Sequence, residues 1–334
     1  MQQTSQIRAV NRGMLSIVFS VWVVFFLASC NSTDDIPIQK VDSQERITDA
    51  LLKKQQQERK LKQPLKNTYF FGFDLRASPQ EDAAQYLPFL EYLESSTGFK
   101  FKLHFTPKNS STIEELGKNN IQFAAMGAMG FLKSRTKYNV ESLVRGLNIQ
   151  GKAEYQSMLV VRPGSDIKTI TDIKGRTLAF GSSDSTQGHL IPRIMLVENK
   201  VNLEELQGYS YTGSHQNCAE SVVSGKHDVC GMQDQLAKKL SAQGQVRIIH
   251  RSRYFPSSGI VVHKSVPATV IEKVKNAMLA FDPLGKNKKG LYNWDKTEMP
   301  NGFVEAKASD YEDLYEWSKK LGFLQTDQHQ VKYQ

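Results

Sequence analysis

The chain is poor in the residues that build metal sites, since its 334 residues include three cysteines and seven histidines. They form neither a His-Glu-x-x-His nor a Cys-x-x-Cys pattern, the spacings typical of zinc sites. A Gly-x-Ser-x-Gly motif around Ser185 is also missing, because Ser183 stands where that motif needs glycine. No glycine-rich loop ends in Gly-Lys-Ser/Thr. These absences argue against an enzyme, and we expect neither a metal nor a cofactor.

Long hydrophobic runs are absent apart from one near the N-terminus. Residues 14–28 are nearly all apolar, but a membrane-spanning helix needs roughly 20 such residues. Arg8 and Arg12 precede the run and Leu27-Ala28-Ser29-Cys30 follows it, an arrangement typical of a secretory signal. The last four residues resemble the lipobox of bacterial lipoproteins, whose cysteine is acylated. We predict a signal peptide over 1–29 and a lipid anchor on Cys30 outside the cytoplasm; a short uncleaved anchor helix is the alternative.

Acidic residues are outnumbered by basic ones, 34 to 43, which gives a formal charge of +9. Such a balance suits nucleic acid, an anionic surface or an anionic small ligand, and export argues against nucleic acid. Residues 31–66 are polar and low in large apolar side chains, a composition that does not repay ordering. We therefore predict that 30–66 is a flexible basic tether behind the lipidated cysteine. It is either simply solvated or in contact with anionic headgroups.

The two remaining cysteines, Cys218 and Cys230, lie on a predicted helix and the strand that follows it. An oxidising compartment permits a disulfide between them. Two packed, unpaired thiols are an equal alternative at this point.

Strand and helix patterns alternate from residue 69 onward. The predicted strands are 69–73, 99–105, 121–126, 157–161, 176–180, 209–211, 228–232, 246–250 and 260–263. The predicted helices run between Ser78 and Gly98, over 112–118, from the polar loop 181–188 to about 198, and over 215–224, 268–281 and 311–320. Two α/β units in succession, with terminal elements returning to the first, predict two lobes with a cleft. We place one lobe at 67–155 plus 258–334 and the other at 156–257.

Two strand-to-helix loops carry the candidate binding residues. Gly181-Ser-Ser-Asp-Ser-Thr-Gln-Gly188 and Gly213-Ser-His215 both place hydroxyls and free main-chain N–H groups at a helix start, where an anion is favoured. Because ligands sit at the carboxyl ends of strands in open α/β sheets, both loops should face one cleft. The sequence therefore predicts an oxyanion site.

These segments resemble the phosphonate/phosphite/phosphate-type substrate-binding proteins of ABC importers. The resemblance covers about 67–325 and rests on Phe71-Gly-Phe-Asp74, Tyr86-Leu-Pro-Phe-Leu-Glu-Tyr-Leu93, Met126-Gly127, Tyr155-Gln-Ser-Met-Leu-Val-Val, Asp172-Ile-Lys-Gly175, Ser185-Thr-Gln-Gly188, Gly213-Ser-His215, Asp228 and Ala308-Ser-Asp-Tyr311. It is weakest over 281–304. It implies an α/β, bilobed periplasmic-binding-protein type II fold, in which two α/β lobes are joined by two hinge strands.

The resemblance also implies a set of ligand-binding residues. The family's anion loop falls on Ser185, Thr186, Gln187 and Gly188, its helix-starting histidine on His215, and a ligand-contacting tyrosine on Tyr155. Gln187 departs from the usual serine. A first-lobe tyrosine of the family is Asn109 here, beside Ser110, and we include both. If His215 is protonated when ligand is bound, affinity should fall as pH rises through its pKa.

Some members of the family grip the ammonium of aminoalkylphosphonates with two carboxylates. Those carboxylates align with Gln235 and Ser258 here, so an amine would be desolvated without counter-charges. We therefore expect a smaller oxyanion, with neighbouring Asp234 as a possible substitute carboxylate.

The resulting functional prediction is an extracytoplasmic, lipid-anchored monomer that delivers phosphate, phosphite or an alkylphosphonate to an ABC permease. A ligand sensor for a membrane signalling partner and a receptor for a sulfonate or another organic anion are the alternatives.

Overall fold

The computed structural model describes residues 67–74, 76 and 78–324. The predicted signal peptide, Cys30 and tether lie outside these residues. Within the described ranges, no helix has the length and apolar character required to cross a membrane.

Strands and helices alternate along the described chain. The strands are β1 (Thr68–Phe73), β2 (Lys100–Leu103), β3 (Phe123–Met126), β4 (Glu141–Gly146), β5 (Glu154–Tyr155), β6 (Ser157–Val161), β7 (Thr177–Phe180), β8 (Gly208–Tyr211), β9 (Val229–Gln233), β10 (Arg247–Arg251), β11 (Phe255–Pro256), β12 (Gly259–Val262) and β13 (Phe303–Glu305). The α-helices are α1 (Pro79–Thr97), α2 (Thr112–Gly117), α3 (Ala128–Tyr138), α4 (Ile191–Glu198), α5 (His215–Val223), α6 (Asp234–Ala242), α7 (Ala268–Leu279) and α8 (Glu312–Lys320). A π-helical turn, Thr186–Leu190, leads directly into α4.

Helix α1 shows how local sequence sets the ends of an element. The Ser78 hydroxyl accepts a hydrogen bond of 3.2 Å from the Glu81 N–H, and Pro79 occupies the first turn, where its missing N–H costs nothing. Gly98 ends the helix with φ of 72°, a left-handed conformation that glycine adopts without strain. The helix continues through Pro88.

The strands form two mixed sheets. The first has the order β13-β4-β12-β3-β1-β2, and the second β10-β6-β9-β7-β8. In the first sheet β1 runs parallel to β2 and β3, whereas β12 is antiparallel to both β3 and β4. In the second, β7 is parallel to β8 and β9, and β6 and β10 add antiparallel strands. Strand β12 therefore returns to the middle of the first sheet after the second is complete.

A two-stranded ribbon joins the sheets where the chain crosses between them. Strand β5 precedes the second sheet, β11 follows it, and the two pair antiparallel with Tyr155 opposite Phe255. The ribbon supplies the two connecting strands of the predicted hinge.

Each sheet is covered by buried apolar side chains. In the first, Phe71, Phe89 and Phe123 are fully buried against each other and α7; burying one such side chain stabilises the fold by about 1.5–3 kcal/mol.

In the second sheet, Cys218 on α5 and Cys230 on β9 form a disulfide. The disulfide ties the helix that begins at His215 to its neighbouring strand, which resolves the alternatives left by the sequence.

Six of these elements were not placed by the sequence: α3, α6, β4, β13 and the two ribbon strands, β5 and β11. Helix α3 is preceded by Gly127, which offers no side-chain cap, and its first turn is apolar. The strand β4 has mixed charge and no clean alternation. Neither segment carries the local signal on which the sequence reading depended.

Candidate binding cavity

Loops from both sheets enclose a cavity of about 370 Å³. It lies at the carboxyl ends of the parallel strands and beside the ribbon. Its lining consists of Phe73, Asp74, Arg76, Thr106, Pro107, Lys108, Ser110, Ser111, Thr112, Ile113, Gly127, Gly130, Tyr155, Ser182, Asp184, Ser185, Thr186, Gln187, Gly213, Ser214, His215, Ser258 and Glu298.

Most of the ligand-binding residues named from the sequence meet in this cavity. Those that line it are Ser110, Tyr155, Ser185, Thr186, Gln187 and His215. Asn109 does not line it and is exposed beside its rim. Gly188 does not line it either and supports the lining from behind.

The support from Gly188 is steric. Its N–H donates to the Ser185 hydroxyl at 2.9 Å, which closes the turn that opens the π-helix. A methyl group added at Gly188 would lie 2.8 Å from Ser185 Oγ and 2.9 Å from His215 Cε1. Glycine is therefore needed for the imidazole to pack against this loop.

His215 starts α5, and its ring nitrogens have different environments. Nδ1 accepts a long hydrogen bond of 3.4 Å from the Gln233 N–H, which places the proton of the neutral ring on Nε2. Burial, aided by the charge of Arg76, lowers the pKa of His215 to about 4. The neutral ring is therefore the stable form at pH 7 in this structure, and it offers one donor. The protonated form considered from the sequence is disfavoured here.

Thr186 connects the loop of the second sheet to the first sheet. Its hydroxyl accepts a hydrogen bond of 2.8 Å from the N–H of Met129, in the first turn of α3. One turn further along α3, Lys133 forms an ion pair of 2.5 Å with Asp184. The start of α3 therefore lies near the two helix starts that were predicted from the sequence, those at Ser185-Thr186 and at His215.

Gln187 uses its amide inside the protein. The NH₂ group donates to the main-chain oxygen of Gln156 at 2.8 Å and, more weakly, to Asp234 at 3.4 Å. Asp234 also pairs with Lys238 at 2.7 Å and does not line the cavity, and neither does Gln235. Of the aligned positions considered from sequence, Ser258 is in the lining.

Five charged residues of the cavity lay outside the ligand-binding set named from the sequence: Asp74, Arg76, Lys108, Asp184 and Glu298. Arg76 and Glu298 form an ion pair, and their side chains are 23% and 12% exposed. Asp74 accepts a hydrogen bond of 3.2 Å from the Gly127 N–H, and burial raises the pKa of its carboxyl despite the opposing effect of Arg76. The cavity therefore contains carboxylates, although not at the aligned positions Gln235 and Ser258. Asp74 stood in a recognised motif, but Glu298 lies where the resemblance is weakest.

Three buried polar atoms in the lining have no hydrogen-bond partner among the described residues. They are Tyr155 Oη, Arg76 Nε and Glu298 Oε2. Tyr155 is 6% exposed, and burial raises the pKa of its phenol, so the hydroxyl stays neutral. Buried polar groups in proteins are nearly always satisfied, and a cluster of exceptions requires an explanation.

These features define a class: an α/β binding protein with two sheets, a connecting ribbon and a polar cavity between the sheet ends. A profile of the family described as "ABC transporter, phosphonate, periplasmic substrate-binding protein" matches residues 71–311. The chain belongs to that family. Because the family consists of substrate-binding proteins, the prediction of a binding protein in place of an enzyme is confirmed.

Individual relatives are distant. The phosphonates-binding periplasmic protein of Escherichia coli (strain K12) is 24% identical over 221 residues, which cover 63% of this chain and 65% of that protein. The structure of PhnD1 from Prochlorococcus marinus (MIT 9301) in complex with methylphosphonate is similar with a TM-score of 0.68, at 16% identity, and covers 77% of this chain and 98% of that one. The alkanesulfonate-binding protein SsuA from Xanthomonas axonopodis pv. citri bound to MOPS has a TM-score of 0.56, at 16% identity, covering 77% and 92%. These likenesses confirm the predicted periplasmic-binding-protein fold.

Proposed function

We propose that this protein captures a small phosphorus oxyanion, namely phosphate, phosphite or an alkylphosphonate, and delivers it to an ABC permease. The observation that carries the proposal is the meeting of Ser185, Thr186 and His215 with Arg76 in one cavity. Hydroxyls, a neutral imidazole donor and a guanidinium all favour anionic oxygens. The family match and the similar protein solved with methylphosphonate support the same ligand class.

The ligand-binding set that we propose extends the one named from sequence. It comprises Tyr155, Ser110, Ser185, Thr186, Gln187 and His215, with Arg76 added. Gly188 acts through the packing of Ser185 and His215. Asn109 contributes only to the rim.

The lobes close around the ligand in this proposal. The first lobe comprises 67–155 plus 258–334, and the second 156–257, so the boundaries fall at the β5–β11 ribbon. Two short strands that pair with each other are suited to a hinge, because the change in backbone angles is confined to a few residues.

The cellular part of the proposal rests on the N-terminal sequence. A monomer, exported on its signal peptide and held by an acylated Cys30, would work on the extracytoplasmic side of a membrane. Replacing Cys30 with Ser tests this part: the protein should shift from the membrane fraction to the soluble extracytoplasmic fraction. Retention of the variant in the membrane fraction argues against the lipid anchor.

Ligand class is tested by calorimetry with the full-length protein in detergent. Phosphate, phosphite and methylphosphonate should bind, and the same compounds should raise the unfolding temperature. At a concentration 100-fold above the Kd, a ligand should increase the free energy of unfolding by about 2.7 kcal/mol. Binding of none of the three would remove the proposal. Uptake of the bound compound by cells, with and without this protein, separates import from sensing.

A further inference from the structure

The three unpartnered atoms of the cavity make different demands on a ligand. Arg76 Nε can only donate, and Tyr155 Oη is a ready donor, so both suit anionic oxygens. Glu298 Oε2 belongs to a carboxylate and can only accept. An oxyanion without an acidic hydrogen would place an oxygen lone pair against this carboxylate oxygen, and the two would repel each other. A ligand that satisfies all three atoms therefore carries acceptor oxygens and one donor.

A second carboxylate strengthens this demand. Asp74 lines the same cavity, with one oxygen on the Gly127 N–H. The charged and titratable groups of the lining are Asp74, Arg76, Lys108, Tyr155, Asp184, His215 and Glu298, with Lys133 paired to Asp184 and with Tyr86 and Asp82 packed behind the Arg76 loop. Arg76 is already balanced by Glu298, and Lys108 is exposed. The cavity thus offers little net positive charge to a fully ionised dianion.

The position of Arg76 decides which kind of donor is suited to Glu298. The guanidinium is paired with the first oxygen of the same carboxylate. An ammonium placed on the second oxygen would sit close to that positive charge, and like charges in a poorly solvated site repel strongly. A neutral O–H meets no such repulsion.

Resting on the proposed function, we propose that Glu298, with Asp74 in the same cavity, accepts a hydrogen bond from the P–OH of a monoprotonated phosphorus oxyanion. The carboxylates thereby exclude oxyanions that have lost every acidic proton, such as sulfate and sulfonates. The protein therefore selects its ligand by the protonation state of that ligand as well as by its shape. Exclusion works because an unpaired, repelled carboxylate costs more than a missing contact.

Four ligands test the proposal by calorimetry on the full-length protein at pH 6. Methylphosphonate offers a P–OH, methanesulfonate offers no donor, taurine offers only an amine, and 2-aminoethylphosphonate offers both. Methylphosphonate should bind at least 100-fold more tightly than methanesulfonate and taurine. Equal binding of methylphosphonate and methanesulfonate overturns the proposal, and tight binding of taurine assigns the carboxylates to an amine instead. If none of the four binds and phosphate and phosphite do not bind either, the proposed function itself fails.

Two variants assign the effect to these carboxylates. Glu298→Gln converts part of the acceptor into a donor and should reduce the preference for methylphosphonate over methanesulfonate at least tenfold. Because Glu298→Gln also alters the ion pair with Arg76, Asp74→Asn provides a second, isosteric change with the same expected direction. Glu91→Gln, at an exposed position of α1, is the matched control. Unchanged selectivity in both folded cavity variants overturns the proposal.

Methylphosphonate affinity should also fall about tenfold per pH unit above the second pKa of the ligand, where the P–OH is lost. A flat profile through that range overturns the proposal.

Discussion

The hydroxyl of Thr186 and the main-chain N–H of Met129 are joined by a hydrogen bond of 2.8 Å that crosses from the second sheet to the first. The Lys133–Asp184 ion pair also joins the candidate anion loop to α3. The bond is nearly free of competition from solvent, because Thr186 is 4% exposed. Position 186 therefore affects both the site and the relation of the two sheets.

Replacing Thr186 with Val should lower both stability and ligand affinity. The buried Met129 N–H would lose its acceptor, which costs about 1–3 kcal/mol. Urea unfolding measures the first effect and methylphosphonate calorimetry the second. Thr186→Ser keeps the acceptor and serves as the control. Equal losses in the two variants would show that the hydroxyl is not the cause.

Gly188→Ala should weaken methylphosphonate binding at least tenfold while the protein remains folded. The added methyl would overlap Ser185 Oγ and His215 Cε1, so the loop or the imidazole must move. Gly208→Ala is the matched control, since a methyl there meets no atom within 4 Å. Affinity of Gly188→Ala within twofold of the wild type would contradict the packing role.

Acid should destabilise the protein through His189 as pH falls from about 6.5 to 4. Its Nδ1–H donates to the main-chain oxygen of Ser183, its Nε2 accepts from the Tyr211 hydroxyl, and the residue is 4% exposed. Burial lowers its pKa to about 4, so the folded state favours the neutral ring. Above the pKa that His189 has in the unfolded chain, about 6.5, both states hold the neutral ring and no stability is lost. As pH falls from there to the folded-state pKa of about 4, protonation of the unfolded chain lowers the free energy of unfolding by roughly 3 kcal/mol at most.

The measurement is urea unfolding at pH 7 and at pH 4.5. His189→Gln should lose less stability on acidification than the wild type. Identical pH dependence in the two proteins would exclude His189 as the cause.

Reducing the Cys218–Cys230 disulfide should lower the free energy of unfolding by about 2–3 kcal/mol. The bond closes a loop with a sequence separation of 12, and such cross-links chiefly restrict the unfolded chain. Thermal unfolding with and without a reductant measures the change. The double variant Cys218→Ala, Cys230→Ala should already be less stable and insensitive to the reductant. A reductant effect on that variant would show another cause.

Much of the fold was predictable because local signals were strong. The strand over Ser157–Val161 was predicted with its observed ends, and Ser78, Pro79 and Gly98 bounded α1 correctly. Helix α3 was missed because its stability comes from burial of Met129, Phe131 and Leu132 in the finished fold, not from capping. Such tertiary stabilisation leaves no local pattern.

The site was predictable where it lay in loops at strand ends and not where it depended on distant pairs. Ser185, Thr186 and His215 lie in two short segments with polar, helix-starting sequence. Arg76 and Glu298 are separated by 222 positions, and each alone reads as an ordinary surface charge. Only folding brings them together, so their pairing had no sequence signal.

The place of β12 has a consequence for biosynthesis. A nascent chain that has grown only to residue 258 already contains every strand of the second sheet, but its β3 and β4 lack the strand that separates them. Contacts this distant in sequence form slowly, and unpaired strand edges invite pairing with other molecules. The ribosome thus delivers the centre of the first sheet late, and a polypeptide cut short before Gly259 should aggregate even though half of its architecture is complete.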